Sequence, residues 1–280
     1  MSSTNHKIFL ITGASSGLGR ALSVAALADG HTVIGTVRNS GDARRFEELN
    51  AGRAHAVMLD VTDFEAIEPA ISRMEAAVGP IDVLVNSAGY GHEGILEESP
   101  LSALQRQFDV NVFGAVAVMK AVLPSMRERR TGRIINITSM AGLVGLAGVS
   151  YYAGSKFALE GISESLHKEV HGFGIRVTAV APGSFRTDWA ARSMVRSERA
   201  IADYDAVFNP IRQRRQDYSG RQLGDPDRAA QALLKLVASE APPQHLLLGN
   251  DALALLNMSL ADRATERAKW EGTTRSTDHQ

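Results

Sequence analysis

KIFLITGASSGLGRALSVAALADGHTVIGTV, Lys7 to Val37, is the stretch that decides the fold. Lys7 to Thr12 is a short apolar run of strand length. Gly17 to Gly30 follows with apolar residues at helical spacing, and His31 to Val37 is a second strand. A strand, a glycine-rich turn, a helix and a second strand make one βαβ unit.

The alternation continues outward from that unit. Asp42 to Asn50 reads as a short helix and Arg53 to Val61 as a third strand. Asp63 caps a helix running to about Val78, where Gly79-Pro80 stops it. Ile81 to Gly89 is a fourth strand, Asp109 to Arg129 a long apolar-rich helix, and Gly132 to Ser139 a fifth strand. Ser150 to His171 is a second long helix and Gly174 to Gly183 a sixth strand. Asp225 opens a helix, and His245 to Gly249 is a seventh strand. Strands that are apolar throughout, set between helices, predict a parallel sheet covered on both faces. The fold class is α/β, a doubly wound, seven-stranded, Rossmann-type sheet with helices on both faces. Residues 1–280 form a single domain. Residues 184–224 break the rhythm beyond strand six, where open parallel sheets bind ligands, and read as a substrate lid; the plain alternative is a surface loop with its own helix. Residues 271–280 are polar and read as a flexible tail.

Composition narrows the function. The 30 basic and 31 acidic residues nearly cancel, which removes the electrostatic footprint of a nucleic-acid binder. The chain has no Cys, so disulfides, thiolate catalysis and cysteine metal sites are excluded together, and no metal site is expected. The first residues lack a basic region followed by an apolar stretch and a cleavage site, and no apolar run approaches roughly 18 residues. These features predict a soluble, cytoplasmic protein without a membrane span.

Gly13, Gly17 and Gly19 close the first strand and open the first helix, with Ser15, Ser16 and Leu18 between them. Glycine permits a close backbone approach, and a helix N-terminus offers free N–H groups to a pyrophosphate. Arg38 follows strand two, where a carboxylate would take a ribose 2′-hydroxyl and repel a 2′-phosphate. A guanidinium there binds phosphate, which favours NADP(H) over NAD; the alternative is a solvated arginine at a strand end. Asp60 and Val61 end strand three and would frame the adenine. Asn86-Ser87-Ala88-Gly89 ends strand four with small residues that let a ligand approach.

Ser139 ends strand five; Tyr152 and Lys156 follow, four apart, on one helix face. A phenol of pKa near 10 is a poor base, and an adjacent ammonium is expected to lower it. The pair then exchanges a proton with a substrate oxygen, assisted by a hydrogen bond from Ser139. Asn111 lies in the long helix before strand five and could hold a water reaching Lys156. Tyr151 is a decoy, because its partner one turn on is Ser155.

TGASSGLG, NSAG, Asn111, Ser139, YAGSK and PGSFRT (Pro182 to Thr187) together resemble the short-chain dehydrogenase/reductase family, over about Lys7 to Gly249. NSAGYG, FDVNVFGAV, LPSMRERRTGRIINITS and SKFALEGISESL are most similar to its 17β-hydroxysteroid dehydrogenase-like branch. The resemblance implies a tetrad of Asn111, Ser139, Tyr152 and Lys156. It implies that Lys156 also holds the nicotinamide ribose, that Thr187 meets the carboxamide, and that Asn86, Ala88, Gly89, Pro182 and Gly183 lie along the cofactor. Ser87 departs from the family's usual second Asn, which would loosen a hydrogen bond in the central sheet. The resemblance also implies a homodimer or homotetramer through the two long helices.

The expected activity is an NADP(H)-dependent interconversion of a carbonyl and a secondary alcohol on a small, hydrophobic molecule, with Tyr152 as general acid/base. Leu143, Val144, Leu146, Val149, Phe185 and Trp189 would give the pocket an apolar wall. His92 and Glu93 would add polarity to it, or lie solvated in a loop. Arg186, Arg192 and Arg196 would meet an anionic group such as a thioester carrier, or simply a solvated helix face. The competing readings are a non-catalytic NADP-binding sensor or scaffold and a methyltransferase on a similar sheet. Neither has a use for the Tyr152-Lys156 pair.

Overall fold

A computed structural model of the chain describes residues 6–187 and 193–279. In chain order, its elements begin with β1 (Ile8–Ile11), α1 (Gly17–Ala28), β2 (Thr32–Val37), α2 (Ser40–Glu47), β3 (Ala54–Met58), α3 (Phe64–Val78) and β4 (Val83–Asn86). They continue with β5 (Gly91–Glu93), α4 (Leu101–Phe108), α5 (Ala115–Arg129), β6 (Gly132–Ile137), α6 (Ser150–Val170) and β7 (Ile175–Pro182). The last are β8 (Met194–Arg196), α7 (Asp205–Asp217), α8 (Pro226–Ala238), β9 (His245–Leu248) and α9 (Asn250–Arg275). Seven strands form one parallel sheet in the order β3-β2-β1-β4-β6-β7-β9, as the alternation predicts.

The strands are apolar on both sides because both sides are covered. Phe9 and Ile11 of β1 pack toward α1 and α8, against Leu22, Ala26 and Leu233. Ile8 and Leu10, alternate in the pleat, join the opposite layer, with Ile67 of α3, Met126 of α5 and Leu159 of α6. Asp63 caps α3 by accepting from Ala66 N, and Asp225 caps α8 by accepting from Asp227 N and Arg228 N. Strand order reverses on either side of β1, so the crevice for a ligand opens beyond the carboxyl ends of β1 and β4.

Four features depart from the sequence reading. Helix α4 runs through a π-helical turn, Asp109–Gly114, into α5, so Asn111 sits in a wide turn and not in regular α-helix. That whole stretch, Leu101–Arg129, has the length and apolar composition of a membrane span; here Val118, Val122 and Met126 are buried against the sheet. A second, two-stranded parallel sheet pairs β5 with β8, tying the segment after β7 to the end of β4. Helix α9 continues to Arg275, past Glu271 where a flexible tail was expected.

Candidate active site

Thr12 knots the ends of β1 and β4. Its Oγ1 accepts from both Ser87 N and Ala88 N at 3.0 Å. Gly13 follows with φ +68°, and a Cβ there would lie 2.9 Å from the Ala88 Cα. Gly13→Ala should therefore destabilise the fold by about 1–3 kcal/mol, from the strained backbone alone; a thermal melt measures it. Gly19 packs on the same turn, since its Cβ would stand 2.6 Å from Gly13 O. Ser16 caps α1 without a side-chain hydrogen bond, and the first turn carries no acidic residue. The helix thus presents its N–H groups to the crevice, and this cradle fits a pyrophosphate.

A single cavity of about 840 Å³ runs from this turn to α6. Ser15, Ser16, Gly17, Leu18, Arg38, Asp60, Val61, Ala88, Gly89, Pro182, Gly183 and Thr187 all line it, together with Gly13. Gly19 supports the turn from behind. Asn86 does not reach the cavity. Its amide Nδ2 donates to Asn136 Oδ1 at 2.9 Å, and Asn136 Nδ2 donates to Ser163 Oγ at 2.8 Å, a buried ladder joining β4, β6 and α6. Successive strand residues face opposite sides, so the neighbour Ser87 is the one that lines the cavity. The amide ladder thus runs through Asn86 Nδ2, while Asn86 Oδ1 is buried without a hydrogen-bond partner among the described residues.

Arg38 is exposed at the end of β2. Across from it, burial pushes the Asp60 carboxyl up, but hydrogen bonds from Thr62 N and Thr62 Oγ1, then the charges of Arg106 and Arg38, bring it below the usual range. Asp60 thus stands ionised at the mouth of the crevice. Arg106, from α4, also lines the cavity; nothing in its sequence neighbourhood marks it.

At the other end Ser139, Tyr152 and Lys156 converge. Ser139 caps a short 3₁₀ turn, Met140–Gly142, with Oγ accepting from Ala141 N at 3.1 Å, and hydrogen-bonds the Tyr152 phenol. Lys156 Nζ donates to Ile137 O at 2.7 Å and stands 5.8 Å from the Tyr152 ring centre. Burial pushes the Tyr152 phenol up to about 12, and Ser139 pulls against it. Burial likewise brings Lys156 down to about 8, with Glu160 opposing. The net shift of the phenol is therefore upward, opposite to the expected lowering. Both groups lie in a wall that disfavours any charge, and this outweighs their proximity.

Asn111 is buried behind this wall. Its Oδ1 accepts from Tyr90 N, and its Nδ2 donates to Tyr90 O and Ser155 Oγ, each at 3.1 Å. Through these bonds the side chain braces the loop after β4 against α6. Tyr151 faces away, donating to Ser99 O at 2.8 Å and stacking on the His92 ring.

The apolar wall is partly as expected. Leu146, Val149 and Phe185 line the cavity, and Leu143 and Val144 do not; Trp189 and Arg192 lie outside the described residues. His92 is buried on Ser197 Oγ, 2.9 Å away. Glu93 is buried in the cavity wall instead of solvated. Arg186 is occupied by Gln222 O, to which its Nε donates at 2.6 Å.

The family model described as short chain dehydrogenase matches residues 7–197. The chain belongs to that family. An oxidoreductase of Botryotinia fuckeliana is 34% identical over 265 residues, 94% of this chain and 96% of its own length. A short-chain dehydrogenase from Streptomyces avermitilis has a solved structure 40% identical, with a TM-score of 0.92, covering 98% of this chain and 100% of that one. A serine dehydrogenase whose structure holds NADP+ is 27% identical, with a TM-score of 0.74, covering 86% of this short-chain dehydrogenase and 94% of its own chain.

Proposed function

We propose that the protein is an NADP(H)-dependent oxidoreductase that interconverts a carbonyl and an alcohol. The observation that carries this reading is the single cavity: a phosphate-binding turn at one end and Ser139, Tyr152 and Lys156 at the other. Support for NADP comes from Arg38 beside that turn and from the NADP+ held by the related serine dehydrogenase. When bound, the cofactor supplies the hydride.

The chain's own groups supply the proton and the positioning. With its phenol pushed up to about 12, Tyr152 holds its proton at neutral pH. Such an acid gives the proton only to a strongly basic oxygen, as a carbonyl oxygen becomes while it is reduced to an alkoxide. Ser139 holds that oxygen by a second hydrogen bond. Lys156, charged at pH 7, offsets the negative charge left on Tyr152 and binds the ribose hydroxyls. Asn111 is a positioning residue, fixing Gly89-Tyr90 opposite α6.

The reading is tested by following NADPH absorbance with a panel of ketones and aldehydes; NADPH binding without turnover on any of them would overturn it. The pH dependence follows from Lys156. Reduction should hold steady below about pH 8 and fall above it, as the ammonium brought down to about 8 loses its proton. Oxidation of the alcohol should rise with pH, because it needs the phenolate. Rate profiles in both directions check the pair of trends, and Lys156→Met should erase the inflection in the reducing one.

A further inference from the structure

Tyr152, Lys156 and Glu160 stand four apart on α6, and all three are buried. Residues at that spacing form one stripe along a helix. The stripe faces three consecutive residues at the end of β6. Ser139 hydrogen-bonds the Tyr152 phenol, Ile137 O accepts from Lys156 Nζ, and Thr138 Oγ1 hydrogen-bonds Glu160 Oε1. The first two contacts belong to the chemistry described above. The third holds a buried carboxylate to which that chemistry gives no part.

Glu160 is held at both oxygens. Its Oε2 meets His245 Nδ1 at 3.0 Å, at the start of β9. Thr138 Oγ1 also lies 2.8 Å from Val180 O, so the hydroxyl sits where β6, β7 and α6 meet. A carboxylate taken out of water needs such partners or a countercharge. The ionisable groups around it come from two elements. On α6, Lys156 is one turn back, and Glu164, one turn on, is exposed and paired with Lys168 at 2.7 Å. From β9 comes His245, exposed, with its Nε2 4.0 Å from Glu164 Oε2. Lys156 is the buried cation of this set. It is faced by Ile137 O from β6, by Gly89 from the loop after β4 and by Gly142 from the turn after β6, none of them ionisable. Burial works against its ammonium, and the charge of Glu160 works for it.

We propose that Glu160 is a positioning residue of this site: its carboxylate, clasped by Thr138 and His245, fixes the end of β6 against α6 and supplies the negative charge that balances the Lys156 ammonium. This rests on the oxidoreductase reading above, in which Lys156 acts as a cation. Glutamine at this position would keep the shape and the bond with Thr138 but lose the charge. Aspartate would keep the charge and draw back from Thr138.

The test reads Lys156 directly, in the full chain without cofactor. Lysine labelled with carbon-13 at its ε carbon is titrated by NMR, and the Lys156 signal is the one missing from Lys156→Met. Glu160→Gln should lower the Lys156 midpoint by about one pH unit, the lower end of what a nearby opposite charge contributes. Glu160→Asp should hold it nearer to the wild type. Glu164→Gln, which alters an exposed group one turn on, should leave it in place. His245→Arg stands in if Glu160→Gln fails to fold: a permanent positive charge at that exposed position offsets Glu160 and should move the midpoint down in the same sense. An unmoved midpoint in Glu160→Gln, or in His245→Arg where it stands in, overturns the role of the carboxylate. So does a fall in Glu160→Asp or Glu164→Gln equal to that in Glu160→Gln. Steady-state NADPH oxidation separates the two readings, because the loss of reducing rate with rising pH should begin about one unit earlier in Glu160→Gln. No oxidation of NADPH with any carbonyl, despite a lowered midpoint, sinks only the oxidoreductase reading. Turnover with an unmoved midpoint and an unmoved pH profile sinks only the role of Glu160.

Discussion

Tyr152→Phe should lower kcat for carbonyl reduction by roughly 10²- to 10⁴-fold, the usual worth of a positioned proton donor, while NADPH binding stays nearly unchanged. The asymmetry follows from where the hydroxyl sits. Tyr152 is buried, its phenol meets Ser139, and its ring borders the cavity below Lys156. Removing one oxygen leaves the ring packed on Ala141, Val149 and Ala153. The glycine turn and α1, where the phosphates would bind, are untouched. Ser139 loses one hydrogen-bond partner but remains held by Ala141 N. Stopped-flow rates together with fluorescence titration of NADPH separate the two effects. A Phe variant with ordinary turnover would remove Tyr152 from the chemistry. A variant that also lost NADPH would point to a role in shaping the cavity.

That prediction was accessible from the sequence because it depends on spacing. Tyr152 and Lys156 lie four apart on a helix, and a helix puts such residues on one face wherever it is placed. The seven strands were legible for a related reason: a strand buried on both sides must be apolar at every position, and Phe9, Leu10 and Ile11 are. What escaped the sequence depends on parity, burial or distant partners. Asn86 and Ser87 differ by one position in the pleat, and that decides which of them meets a ligand. The phenol is pushed up, not down, because burial exceeds the influence of its neighbour, and burial is a property of the whole fold. Glu93 meets arginines more than a hundred residues further along the chain, through a three-residue strand pair too short to leave a pattern. Helix α9 is long but mostly exposed, with only Ala252 fully buried, so it carries no apolar stripe to announce it.

Arg38→Asp should reverse the cofactor preference from NADPH to NADH. The change acts twice. It removes a guanidinium able to make charge-assisted hydrogen bonds to a 2′-phosphate, each worth about 1.5–3 kcal/mol. It also introduces a carboxylate that repels the phosphate and accepts a hydrogen bond from a ribose 2′-hydroxyl. The first effect alone is roughly 10- to 100-fold against NADPH in kcat/KM. The backbone has little reason to respond, since Arg38 is exposed and Asn39 beside it caps α2 by its own side chain, accepting from Asp42 N at 2.8 Å. Arg106 limits the switch. It faces the same region from α4 and would retain part of the attraction for phosphate, so the Arg38→Asp, Arg106→Gln double variant should discriminate against NADPH more strongly than the single one. Because Arg106 also helps hold Asp60 ionised, the double variant should discriminate less sharply as the pH falls toward the carboxylate range. Kinetics with both cofactors on the wild type and the two variants decide the matter: a wild type that already prefers NADH would show that Arg38 does not read the 2′-phosphate.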